Sequence, residues 1–225
     1  MDLELADDLF SADIVDFFSE ETVRADEKQK IEARVLARKG KIFVRRAKSE
    51  AELNLLIPRL EMGNSYHVIS GGDIDSISFA KIVVDKFPLE YLLFSTWCMA
   101  VPDVEQIEKW LEEKRVLRVD AYVGEIFPAQ YFDAYTKLCE VIKKYGGRVA
   151  VFRNHSKIFA GTSPDFSFAI ESSANVNTNP RTEQSAIHCD ADLFVHYKTF
   201  FDGIKSFNRD FDAIEAWSAK SCPAI

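Results

Sequence analysis

From residue 65 onward, short continuous apolar runs alternate with longer amphipathic stretches. Tyr66–Ser70 reads as a buried strand. Gly71-Gly72-Asp73 reads as a tight turn, although its amides sit where a phosphate could meet a helix start. A helix over Ser76–Phe87 follows. Tyr91–Met99, Leu117–Val123 and Arg148–Phe152 read as further strands. The helices between them span Val104–Arg115 and Ala129–Tyr145, the second ended by Gly146-Gly147. Strands alternating with helices predict right-handed crossovers and an α/β fold with a mostly parallel sheet flanked by helices.

After Phe152 the pattern changes. Lys157–Ala160 and Phe166–Ile170 read as two strands split by the turn-forming Gly161–Asp165, a hairpin inserted into the α/β pattern. Asp192–Trp217 reads as helical, with a break near Gly203 or Asn208. Its phenylalanines suit a core or a dimer interface. His67, inside an apolar strand, reads as core, and His196 as surface or packing.

The first 60 residues read as an extension, with residues 61–225 as the main domain. Leu9, Phe10, Ile14, Phe17 and Phe18 recur at helical spacing among acids. Residues 24–38 favour helix, Gly40 ends it, and Lys41–Arg45 reads as a short strand. A helix from Ser49 carries Leu53, Leu55, Leu56 and Ile57.

Composition narrows the class. The chain has 225 residues, 47% hydrophobic, with 18 Phe, enough for a well-filled core. No apolar run reaches the roughly 18 residues of a membrane span, and the N-terminus lacks the basic start of a signal peptide. The cysteines, 98, 139, 189 and 222, are widely spaced, which suggests reduced thiols and a cytoplasmic protein. The net charge of −8 argues mildly against nucleic-acid binding, but the charge is uneven. Residues 1–23 carry acids and no Lys or Arg. Residues 24–48 are strongly basic and include Arg38, Lys39 and Lys41. That segment suits a phosphate backbone and equally suits a solvated face balancing the acidic helix. The acidic amphipathic helix itself suits a protein partner.

The candidate chemistry begins at His155-Ser156-Lys157. In extended chain both side chains face one way, so a nucleophilic imidazole and a phosphate-holding ammonium share one side. Ser173, Asn175 and Asn177 follow the next strand with the same spacing, and Glu183 comes after a turn. A carboxylate there can fix a histidine tautomer. Ser95 and Thr96, ending the second strand, would sit at the rim and contact substrate. His188 with Cys189, Asp190 and Asp192 matches no common metal spacing; neither metal nor cofactor is expected.

This set resembles the phospholipase D superfamily, over roughly residues 65–207. Its motif is His-x-Lys, four residues, Asp, six residues, Gly-Ser, then Asn. The resemblance is to the short bacterial branch with one motif per chain, whose best-known members are nucleases. It implies a homodimer with two motifs meeting across the two-fold axis. It implies His155 as nucleophile or general acid, Lys157 and Asn175 as phosphate ligands, Ser173 as support and Glu183 as orienter of the histidine. Asp165 fits the motif Asp counted back from Ser172. Counted forward from Lys157 the position is Thr162, so the hairpin is three residues longer than the motif's, and Ser172 stands where the motif has Gly. The expected activity is a metal-independent phosphodiesterase acting on DNA or RNA. The alternatives are hydrolysis of a phospholipid or small phosphodiester, or a binding protein of the same fold with little turnover.

Overall fold

The computed structural model describes residues 50–71, 74–176 and 181–219, all within one unit of the chain, Arg46–Ile225. The acidic helix, the basic segment with Arg38, Lys39 and Lys41, the strand expected at Lys41–Arg45, and Asn177 lie outside the described residues.

After a helical segment α1 (residues 50–56), the elements are β1 (Ser65–Ser70), α2 (Ser76–Lys86), β2 (Tyr91–Thr96), α3 (Val101–Glu112), β3 (Val119–Gly124), α4 (Phe127–Gln130), α5 (Phe132–Lys144) and β4 (Val149–Phe152). Then come β5 (Ile158–Thr162), β6 (Ser167–Ser172), β7 (Glu183–His188), α6 (Ala191–Asp202) and α7 (Arg209–Asp212). Local chemistry sets several ends. The Asp75 carboxylate accepts from Ser78 N at 2.9 Å and caps α2, and Pro88 follows its last turn. Asp190 caps α6 through Leu193 N at 2.8 Å. Gly146, at φ 75°, closes α5 in the left-handed region. The helical stretch expected over 192–217 breaks after Asp202, at Gly203.

The sheet order is β1-β7-β6-β5-β2-β3-β4. Only β2/β3 and β3/β4 are parallel; β1/β7, β7/β6, β6/β5 and β5/β2 are antiparallel. The sheet is therefore mostly antiparallel, not mostly parallel as the βα alternation suggested. Two features account for this. The hairpin β5–β6 and the strand β7 form a meander that enters the sheet beside β2. And β1 does not lie beside β2 but crosses to the far edge, where it pairs with β7.

Helices α1–α3 and α5 cover one face. Their apolar stripes meet Leu92, Phe94, Val123, Phe159 and Ile170 in the larger core. Leu53, Ile57 and Leu60 are buried in that same core, so residues 50–60 pack with the sheet. On the other face α6 and the segment after it bring Phe194, Phe201, Phe211 and Trp217 onto Tyr91, Leu93 and Tyr122. Strands β2 and β3 are buried on both faces, which explains their unbroken apolar runs. His67 is exposed rather than core, because β1 is an edge strand whose side chains are alternately exposed and half-buried. Among the described residues no helix is long and apolar enough to cross a membrane.

Beneath α6 lies a buried ionic network. Asp120, with no exposed surface, accepts from Tyr91 Oη at 2.9 Å, from Arg148 N at 3.0 Å and from Arg118 Nε at 3.1 Å. The Arg148 guanidinium reaches Tyr122 Oη at 3.2 Å and Asp202 at 3.3 Å and lies over the Phe211 ring. Burial, with the adjacent Asp120 charge, pushes the Tyr91 hydroxyl well above its usual value.

Candidate active site

His155 and Lys157 lie between β4 and β5, at the open end of the β5–β6 hairpin. His155 is exposed, while Lys157 keeps only 7% of its surface. The lysine chain curls back so that Nζ donates to the His155 carbonyl at 2.6 Å and stands 3.0 Å from His155 Nδ1. The ammonium is thus held against the imidazole from the protein side, and the ring stays open to solvent. Burial lowers the Lys157 pKa from the usual lysine value; the Cys98 thiol and the Glu183 carboxylate act in the opposite direction. The Trp97 ring lies 5.6 Å from the His155 ring.

The hairpin register brings the second half of the set to the same end. Ser172 N donates to the Lys157 carbonyl at 3.1 Å. Ser173 follows, and its hydroxyl donates to Glu183 Oε2 and accepts from Gln184 N at 3.0 Å. Glu183 is therefore seated on Ser173, close enough to Lys157 to act on its charge. Among the described contacts, the groups on the imidazole are Lys157 and Trp97 rather than Glu183. Asn175 is fixed through its backbone, its carbonyl accepting from Ser76 N at the start of α2 at 3.2 Å. Its side-chain Oδ1 is buried without a hydrogen-bond partner. Turning the amide over places two N–H donors in that position, a match for an anionic oxygen.

Ser95 and Thr96 have no exposed surface. They lie under the site, not at its rim. Ser95 Oγ donates to the Ser156 carbonyl at 3.2 Å, and Thr96 Oγ1 accepts from Val176 N at 3.4 Å. Asp165 is exposed in the turn at the closed end of the hairpin, the opposite end from Lys157. Asn177 lies outside the described residues.

The residue that organises the segment is one the sequence did not single out. Asn154 is buried. Its Nδ2 donates to Ser95 Oγ at 2.9 Å, Tyr122 O at 3.1 Å and Thr96 O at 3.3 Å. Its Oδ1 accepts from Ser156 N at 2.9 Å and Ser156 Oγ at 2.7 Å. One amide thus ties the His155–Lys157 segment to the ends of β2 and β3. Gly124 makes room for it: a Cβ there would stand 2.9 Å from Trp97 and 3.1 Å from the Asn154 carbonyl. A glycine closing an apolar strand was the available signal; Asn154 gave none. Asn154→Ala is expected to cost about 1–3 kcal/mol of stability through the orphaned groups. It should also lower turnover about 100-fold by loosening the histidine segment. Denaturant unfolding and steady-state rates on one preparation would check both. Unchanged turnover would remove Asn154 from its positioning role.

Among the described residues no group of three or more His, Cys, Asp or Glu is arranged to hold a metal ion. What the arrangement can do is present an exposed imidazole beside a captive cation, hydroxyls and an amide, a set suited to a tetrahedral anion.

No protein-family model matches the chain, and no curated protein matches it. Solved structures similar to it include Nuc of Salmonella typhimurium, a phospholipase D family member, at 11% identity and a TM-score of 0.48, over 62% of this chain and 93% of that one. TrmBL2, an archaeal chromatin protein, matches at 13% identity and a TM-score of 0.48, over 88% and 69%. The phosphatidylserine synthase of Haemophilus influenzae Rd KW20 matches at 15% identity and a TM-score of 0.44, over 67% and 41%.

Proposed function

We propose that the protein is a phosphodiester hydrolase that uses His155 as its nucleophile, acts on nucleic acid, and works as a homodimer. The observation that carries this reading is the Lys157 ammonium, nearly buried and 3.0 Å from Nδ1 of an exposed His155. A ring nitrogen of His155 attacks phosphorus, forming a P–N bond as the P–O bond to one ester oxygen breaks. The departing oxygen takes a proton from a second imidazole, His155 of the other copy. That imidazole then takes a proton from water as the water oxygen displaces His155 from phosphorus. One phosphomonoester and one alcohol leave. Lys157 and the Asn175 amide hold the non-bridging oxygens, where charge builds. Ser173 and Glu183 keep Lys157 charged and in place.

Nucleic acid is favoured over phospholipid by the basic run of residues 24–48, with Arg38, Lys39 and Lys41 as backbone contacts. The test is incubation with single- and double-stranded DNA and RNA in EDTA, followed by acid and base quenching. An acid-labile, base-stable phosphoprotein and cleaved strands are expected. Cleavage without any phosphoprotein on rapid quench would replace the covalent route by direct attack of water. Light scattering should give the mass of two chains; an active monomer would remove the second histidine from the scheme.

The charge pattern gives a pH prediction. Lys157 must be an ammonium to hold phosphate, and burial already lowers its pKa, so the alkaline limb of the rate profile should begin below that of an ordinary lysine. Glu183 raises that pKa, so Glu183→Gln should move the alkaline limb to still lower pH. A limb that stays put in Glu183→Gln, read from kcat against pH, would detach Glu183 from Lys157.

A further inference from the structure

His155 is exposed, yet a reacting imidazole must keep one direction while it gains and loses positive charge. Glu183, the carboxylate expected to orient it, is seated on Ser173 instead. The described contacts of the ring are the Lys157 ammonium and the Trp97 indole.

The lysine suits one form of the ring. An ammonium donates three hydrogen bonds and accepts none. Its 3.0 Å contact with Nδ1 is therefore favourable while that nitrogen carries a lone pair. A protonated imidazole presents N–H donors at both nitrogens, and a like charge so close repels it. The indole has no such restriction. Its centroid lies 5.6 Å from that of the imidazole, with the planes 54° apart. An aromatic ring at this range packs against a neutral ring, and its electron-rich face attracts a cation.

Trp97 can hold a direction because its own is fixed. It follows β2 directly. The Thr96 carbonyl before it accepts from Asn154 Nδ2 at 3.3 Å, and the Cys98 carbonyl after it accepts from Thr96 Oγ1 at 2.9 Å. Gly124 forms the floor, where a Cβ would come within 2.9 Å of the indole Cδ1 and 3.1 Å of the Asn154 carbonyl. One glycine thus seats both the indole and the residue before His155. Trp110 and Trp217 are buried core residues; Trp97 keeps part of its surface in solvent beside the histidine.

We infer that Trp97 is the positioning residue of His155, holding the imidazole in one direction in both its neutral and its positively charged forms. This rests on the hydrolase reading for its effect on rate, but not for the ring contact. In the copy that attacks, charge grows on the imidazole as the P–N bond forms. In the copy that donates a proton, the ring starts charged. The indole favours the charged ring in both.

The test compares Trp97→Leu, which keeps an apolar side chain without an aromatic ring, with Trp97→Phe, which restores a ring. Each full chain is followed by the His155 ring-proton signals in NMR, identified by their absence from His155→Ala, and by cleavage of single-stranded DNA in EDTA. In the wild type a nuclear Overhauser contact should join the indole and His155 ring protons, and the indole ring current should displace the His155 signals. Trp97→Leu should lose that displacement, lower kcat about 100-fold, and leave KM and circular dichroism unchanged. Trp97→Phe should recover most of kcat, which a role in folding alone would not require. Loss of the displacement in Trp97→Leu, with a wild type that cleaves no diester, supports the positioning and fails only the hydrolase reading. A wild type without the Overhauser contact overturns the inference with no variant needed, so a Trp97→Leu chain that does not fold leaves the test intact. Unchanged kcat in Trp97→Leu, or an equal loss in Trp97→Leu and Trp97→Phe, also overturns it and leaves the hydrolase reading standing.

Discussion

Replacing His155 by alanine is expected to lower phosphodiester turnover by about 10⁴-fold or more, the scale seen when a covalent nucleophile is removed. The fold should survive. His155 is exposed, and the described contacts of its side chain are Lys157 and the Trp97 ring. Exposed substitutions of this kind change stability by about 0.5 kcal/mol or less. In the proposed homodimer both copies lose the proposed nucleophile and proton donor together. Rates measured beside circular dichroism and thermal unfolding separate the two effects. A variant that keeps even a hundredth of wild-type turnover would move the nucleophile elsewhere. Lys157→Met is the natural companion, since it keeps the buried stem and removes only the charge.

The largest expected effect on stability lies away from the chemistry, at Asp120. Asp120→Ala should cost about 3–5 kcal/mol, the range for breaking a buried pair from one side. The change leaves the Tyr91 hydroxyl without its acceptor and the Arg148 guanidinium with Asp202 as its remaining carboxylate. Arg148 is itself only 5% exposed, so water cannot easily replace the lost partner. Asp120→Asn should fall between, keeping one acceptor oxygen for Tyr91 or the Arg148 amide. Asp133→Ala, at an exposed position, serves as the neutral control. Urea unfolding of the set gives the comparison; a cost below about 1 kcal/mol for Asp120→Ala would mean that the network contributes little.

Much of the central sheet was legible because its signals are local. Continuous apolar runs marked β2, β3 and β4, and a turn-rich loop between two aromatic runs marked the β5–β6 hairpin. Extended-chain spacing then placed Lys157 and Ser173 at one end. What was illegible is what depends on distant partners. Strand β7, Glu-Gln-Ser-Ala-Ile-His, has little β-branched or aromatic character and is a strand because β1 and β6 flank it. The edge position of β1 followed from that pairing, and with it the exposure of His67. Asn154 carries no periodic signal, and its role appears only once β2, β3 and the histidine segment converge. Glu183 was singled out as an orienter of the histidine, but its seat on Ser173 reflects side-chain geometry that spacing does not encode.

The pairing of β1 with β7 also sets an order of events during synthesis. Ser65 and His188 are hydrogen-bonded across 123 positions of chain. A nascent polypeptide that has emerged only through β6 still has β1 without its neighbour, and long-range closures of this kind are slow steps in folding. Glu183 is the first residue of β7. The strand that completes the sheet therefore also delivers Glu183, so a ribosome-bound fragment can carry His155 and Lys157 while Ser173 still lacks its carboxylate partner.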